Sequence, residues 1–105
     1  MRYAEVIRSI NAVAGKCLPA TATLLLYGSR ARGDANADSD WDLLILLDKD
    51  RIEQSDHDNI AFPFTSLGWD INEMIVPVLY TKKDWESMIY LPFYKNVEHD
   101  KIVLK

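Results

Sequence analysis

Residues 28–47, GSRARGDANADSDWDLLILL, decide the fold of this chain. Gly28-Ser29 follows directly on a β-prone apolar run at residues 21–27 (TATLLLY), and the stretch closes in a second such run at residues 41–47 (WDLLILL). Between the two, residues 29–40 (SRARGDANADSD) are small and polar, with room for one helical turn around residues 30–33. The near-continuous apolar character of residues 41–47 predicts a central strand with both faces covered and helices behind it.

The residue types at this spacing suit phosphate and metal chemistry. A glycine just past a strand lets the backbone turn sharply and approach a ligand closely, while the Ser29 hydroxyl and neighbouring N–H groups can hold phosphate oxygens. Arg30 and Arg32 add positive charge. Asp40 and Asp42 stand two residues apart at the start of a strand, so the pleat aims both carboxylates at one face. Two like charges on one face require a cation. Mg²⁺, or Mn²⁺ in its place, prefers oxygen ligands, keeps several waters and commonly bridges one or two carboxylates to substrate phosphates. Such an ion would neutralise a triphosphate, orient an attacking hydroxyl in line and stabilise the leaving pyrophosphate. The plainer alternative is a turn followed by solvated strand-end charges. Four fixed residues at this spacing arise by chance in on the order of one chain in a thousand of this length, which disfavours it.

Outward from this block, residues 3–14 place Val6, Ile7, Ile10, Val13 and Ala14 at helical spacing, with Gly15 and Pro19 as the stop. Residues 48–67 carry Ile52, Ile60, Phe62, Phe64 and Leu67 on a helix broken at Pro63. Residues 72–80 (NEMIVPVLY) predict a third strand, in which Pro77 suits an edge or a bulge. Thr81 caps a short helix from Lys82 that shows Trp85, Met88 and Ile89 as its apolar stripe and ends at Pro92. In the tail, residues 102–104 form a terminal strand or docked segment.

With 105 residues and 49% hydrophobic content, the chain is expected to be one domain over residues 1–105. A net charge of −4 argues against a basic face for long DNA or RNA. The single cysteine, Cys17, excludes an intramolecular disulfide and reads as a buried thiol in a reducing cell. No apolar run approaches the roughly 20 residues of a membrane span, and Glu5 and Arg8 interrupt the N-terminal apolar pattern, so a cytoplasmic protein without a signal peptide is expected. His57 and His99 have no partner at ligand spacing and are expected at the surface. Trp41 alternates away from the aspartates into the core, and Trp69, Trp85, Phe62 and Phe64 read most simply as packing residues, with exposure of some of them for a partner as the alternative.

The block resembles the polymerase-β-like nucleotidyltransferase superfamily, whose hallmark is a Gly-Ser loop followed by an Asp-x-Asp pair. Gly28, Ser29, Ala31, Arg32, Gly33, Ser39, Asp40, Asp42 and Leu43 fall on the pattern of its minimal nucleotidyltransferase group, and the tail LPFYKNVEHDKIVL (91–104) is similar to that group's ending. The resemblance implies an α/β (α+β) domain with a small mixed sheet and helices packed on one side. It implies ATP or another NTP held by Gly28, Ser29, Arg30, Arg32 and Ser39, with Asp40 and Asp42 as catalytic metal ligands. It further implies transfer of AMP to a hydroxyl of a small helical HEPN-type partner, the chain acting as antitoxin of a toxin–antitoxin pair. The alternative is a catalytically weak binding module that masks its partner. A stand-alone drug-modifying transferase is disfavoured, because no acceptor-holding domain is evident.

Active members of that superfamily usually carry a third carboxylate on a later strand. Aligning the strand ahead of YTKKDW puts Val78 at that place. Glu73 is the nearest acid in the predicted strand, but it lies five residues earlier and points to the opposite face unless Pro77 or a bulge changes the parity. Asp70 has the right parity, yet eight residues of extended strand span roughly 26 Å. A two-carboxylate site is therefore the expectation, with Glu73 as the alternative third ligand.

Overall fold

A computed structural model describes residues 2–105. Helix α1 (Arg2–Cys17) buries Val6, Ile10 and Ala14 along one stripe. Gly15 does not stop it, since a glycine only weakens a helix; the last turn closes with Leu18 N–H on Ala14 C=O, and Pro19, which has no N–H, prevents continuation.

Strands β1 (Thr23–Tyr27) and β2 (Trp41–Leu47) pair antiparallel, Leu25 opposite Leu44. Strand β3 (Ile75–Thr81) runs parallel to β2 with Val78 opposite Leu44, and β4 (Ile102–Val103) pairs antiparallel with β1. The order β3-β2-β1-β4 makes a mixed sheet with β2 inside and β3 at an edge. Pro77 is tolerated in β3 for that reason, because an edge strand can turn the missing donor outward.

Alternation along β1 and β2 divides the core in two. Leu24, Leu26, Trp41, Leu43, Ile45 and Leu47 pack with Val6, Ile10 and Phe64 from the long helices. Leu25, Leu44 and Leu46 pack on the other face with Trp85 and Val97. The main helical layer thus lies on one side of the sheet, and a thinner C-terminal layer covers the other, as the apolar run of β2 demands.

The crossover from β2 to β3 is α3 (Gln54–Asp56), a π-helical turn (His57–Ala61) and α4 (Phe62–Ile71). The expected break at Pro63 is absent. Proline stands in the first turn of α4, and the wide π turn ahead of it accommodates the lost hydrogen bond. Asp70 lies in this helix and not on a strand.

Helix α5 (Lys82–Glu86) is capped as expected, Thr81 Oγ1 accepting from Asp84 N–H at 3.0 Å. It ends before Met88 and Ile89, and Pro92 does not terminate it but opens a further helix, α6 (Pro92–Asp100), where the sequence suggested only tail. Trp41, Phe64 and Trp85 are buried, whereas Trp69 (69% exposed) and Phe62 meet edge to face at the surface and are not core residues. Cys17 is half-buried against Ile60 C=O, and burial pushes its thiol pKa up. His57 and His99 are exposed. Among the described residues no helix is long and apolar enough to cross a membrane.

Candidate functional site

Tyr27, the last residue of β1, is the cross-strand partner of Asp42. The chain therefore leaves the sheet at Gly28 beside that carboxylate. Gly28 has φ 73°, and a Cβ built on it would lie 2.5 Å from Asp42 Oδ2. The loop then winds into α2 (Ser29–Arg32), with the N–H groups of Ala31 and Arg32 donating to Gly28 C=O and Gly33 N–H to Ser29 C=O. Two further contacts shape the descent into β2: Asn36 Oδ1 accepts from Asp38 N–H at 2.8 Å, and Ser39 Oγ accepts from Asn36 N–H at 3.0 Å.

Asp42 is half-buried and Asp40 exposed. Burial raises the Asp42 pKa above the ordinary carboxylate value, the negative charge of Asp40 raises it further, and Arg32 partly offsets both. No hydrogen bond to either carboxylate is present among the described residues. Next to them the Tyr27 phenol is pushed up to about 12 by burial and by the charges of Asp42 and Tyr80, so it stays protonated. Two neighbouring carboxylates that accept no hydrogen bond from the described residues suit a divalent cation completed by waters and phosphate oxygens.

The two arginines of the loop diverge. Arg32 donates from Nη1 to Asp100 Oδ2 at 2.8 Å and from Nε to Asp34 Oδ2 at 3.1 Å. Arg30 lies over the Trp41 ring, 4.5 Å from its centroid, and donates to Ser39 C=O from Nη2 at 3.0 Å and from Nε at 3.3 Å. Trp41 points away from its flanking aspartates, as strand alternation requires, so Arg30 braces the loop from the opposite face.

Glu73 is not brought to the aspartate pair. Its Oε1 accepts from Trp41 Nε1 at 2.9 Å and its Oε2 from Arg2 Nε at 3.1 Å, with Arg30 3.7 Å away. These partners hold the Glu73 pKa below its ordinary value, the Trp41 hydrogen bond most of all. Among the described residues no group of three or more His, Cys, Asp or Glu side chains converges on a metal position. The register partner of Asp42 on β3 is Val76, and Val78 follows two residues on; no acid of β3 faces the pair.

An open groove of about 650 Å³ lies between the Ser39 turn and the start of β3, lined by Asp38, Ser39, Trp69, Asn72, Glu73 and Met74 among others. Gly28, Ser29, Asp40 and Asp42 are not in its walls. Two neighbours of the site, Tyr27 and Asp100, escape sequence reasoning. Tyr27 looked like an ordinary strand residue, and Asp100 reaches Arg32 across 68 residues of chain.

The family model described as a nucleotidyltransferase domain matches residues 8–103. The chain belongs to the nucleotidyltransferase domain family. This nucleotidyltransferase domain is 47% identical over 34 residues to the protein adenylyltransferase MntA of Aphanizomenon flos-aquae, a stretch covering 32% of this chain and 23% of that protein. The chain thus aligns with under a quarter of that relative's length. The domain's fold is similar to one in a crystal structure of a toxin–antitoxin with AMP-PNP, with TM-score 0.66 and 16% identity, covering 94% of this chain and 72% of that one.

Proposed function

We propose that this nucleotidyltransferase domain transfers AMP from ATP to a hydroxyl of a partner protein, a HEPN-type toxin for which it acts as antitoxin. The carrying observation is the contact of the Gly28 backbone with a half-buried Asp42 beside Asp40, no hydrogen-bond donor neutralising either acid among the described residues. Asp40 and Asp42 would hold Mg²⁺, which when bound supplies charge neutralisation to the triphosphate. Gly28 and Ser29 present backbone and hydroxyl donors to the phosphates, and Arg32 adds charge. Arg30 and Ser39 keep the loop in shape around the nucleotide. With valines at 76 and 78, β3 supplies no general base, so the proton of the incoming hydroxyl leaves to water or to a group of the acceptor. The adenylyltransferase name of one relative and the toxin–antitoxin assembly of a structural neighbour support this reading.

The same two valines favour a second reading, in which the domain masks its partner without modifying it. Incubation with labelled ATP, Mg²⁺ and the partner protein separates the two. Label transfer that disappears in both Asp40→Asn and Asp42→Asn supports catalysis; no transfer, with partner inhibition unchanged in both variants, leaves masking.

A further inference from the structure

Asp100 lies where two distant parts of the chain meet. Strand β4 pairs with β1 with Leu26 opposite Ile102 and Leu25 opposite Val103. Asp100 precedes β4 by two residues and Gly28 follows β1 by one, so the end of α6 and the start of the loop both adjoin this strand pair. Asp100 ends α6, and its side chain is only 8% exposed. Oδ2 accepts from Arg32 Nη1 at 2.8 Å, while Oδ1 lies 3.1 Å from Nδ1 of the exposed His99.

Arg32 is thereby held at two points, Asp100 on Nη1 and Asp34 on Nε. Its third nitrogen, Nη2, makes no hydrogen bond among the described residues and remains a donor for an anion. Arg32 ends α2, and its own backbone N–H donates to Gly28 C=O, so the guanidinium belongs to the loop that opens at Gly28. A long side chain loses rotamer freedom when it captures a ligand, and one already held loses less. The largely covered Asp100 carboxylate supplies that hold, and β4, which follows it in the chain, pairs with β1, the strand from which the loop emerges.

We propose that Asp100 is a positioning residue for nucleotide binding, presenting the Arg32 guanidinium preorganised to the phosphates of the nucleotide. The inference rests on the reading of the Gly28-Ser29 loop as the nucleotide site. It differs from a plain tether of α6, which would leave nucleotide affinity untouched.

Calorimetric titration of the chain with ATP in Mg²⁺ tests it in a double-mutant cycle of Arg32→Gln, Asp100→Asn and the pair. Asp100→Asn weakens ATP about five- to tenfold, Arg32→Gln weakens it at least as much, and the double variant binds no more weakly than Arg32→Gln alone. Unchanged affinity in Asp100→Asn, or two effects that multiply in the double variant, overturns the inference and leaves a structural ion pair. Should Asp100→Asn melt below the assay temperature, Asp100→Glu replaces it in the cycle: the carboxylate, displaced by one methylene, must still weaken ATP in a manner that disappears with Arg32→Gln, and otherwise the inference is lost. A wild-type chain that binds no ATP overturns the nucleotide-site reading itself, and the positioning role falls with it.

Discussion

Gly28 and Asp42 touch across the mouth of the β1–β2 pair: a Cβ at Gly28 would stand 2.5 Å from Asp42 Oδ2, on a backbone already at φ 73°. Either fact alone favours glycine, the first by sterics and the second by the cost of a left-handed conformation to any other residue. The loop and the acid are consequently one unit, and neither can change shape without the other.

Gly28→Ala should therefore uncouple them. The backbone term alone costs roughly 1–2 kcal/mol, and displacement of the Asp42 carboxylate adds a functional loss out of proportion to the fall in stability. Thermal unfolding together with ATP binding measures both; unchanged binding in a folded Gly28→Ala protein contradicts the assignment of the loop.

Asp42→Asn removes a charge that is half-buried and faces Asp40. The variant is expected to melt at the same or a higher temperature than the native chain while label transfer falls by about two orders of magnitude or more, a separation of stability from function. A variant that melts lower would show that Asp42 is instead a stabilising group.

Glu73 is held by Trp41, Arg2 and Arg30 and titrates below its ordinary value of 4.5. A carboxyl lowered in the folded state contributes stability above its unfolded value, and that contribution disappears as pH falls through the folded one. Unfolding midpoints should thus decline with acid below about pH 4.5, and Glu73→Gln should flatten this part of the profile. Glu73→Ala, which leaves the Trp41 N–H without its acceptor, is expected to cost about 1–3 kcal/mol by denaturant titration. Label transfer at saturating ATP should persist in Glu73→Gln, because the residue lies away from Asp40 and Asp42; its loss would restore Glu73 as a metal ligand.

Arg30→Lys keeps the charge but loses the guanidinium over the Trp41 ring and the paired donation to Ser39 C=O. A loss of about 1–2 kcal/mol is expected, with hydrogen exchange faster across residues 34–40. Equal exchange in the two proteins would mean that Arg30 does not brace the loop.

Much of this was legible in the sequence because it depends on neighbours along the chain. Gly-Ser after an apolar run, the alternation of Asp40, Trp41 and Asp42, the Thr81 cap and the edge placement of Pro77 each follow from a few adjacent residues. Helix α6 is not legible because a proline both ends helices and starts them; Pro92 reads as a stop, whereas it occupies the first turn. Trp69 reads from the sequence either as packing or as exposed, and its place on α4 turns it to solvent, a matter of which stripe the helix presents to the sheet.

The sequence by itself determined the local frame of the candidate site: a glycine where the backbone must turn, Asp42 as the second residue of a strand with Asp40 just ahead of it, and an apolar strand that needs cover on both sides. Those properties are set by covalent geometry and side-chain periodicity. Only the tertiary structure decided how the remaining charges were shared out. Arg30 went to Trp41 and Arg32 to Asp100, while Glu73 closed on Trp41 and Arg2, apart from the aspartate pair. The order and register of four strands make those choices, and they answer to the burial of two sheet faces by the whole chain, which no short stretch of residues encodes.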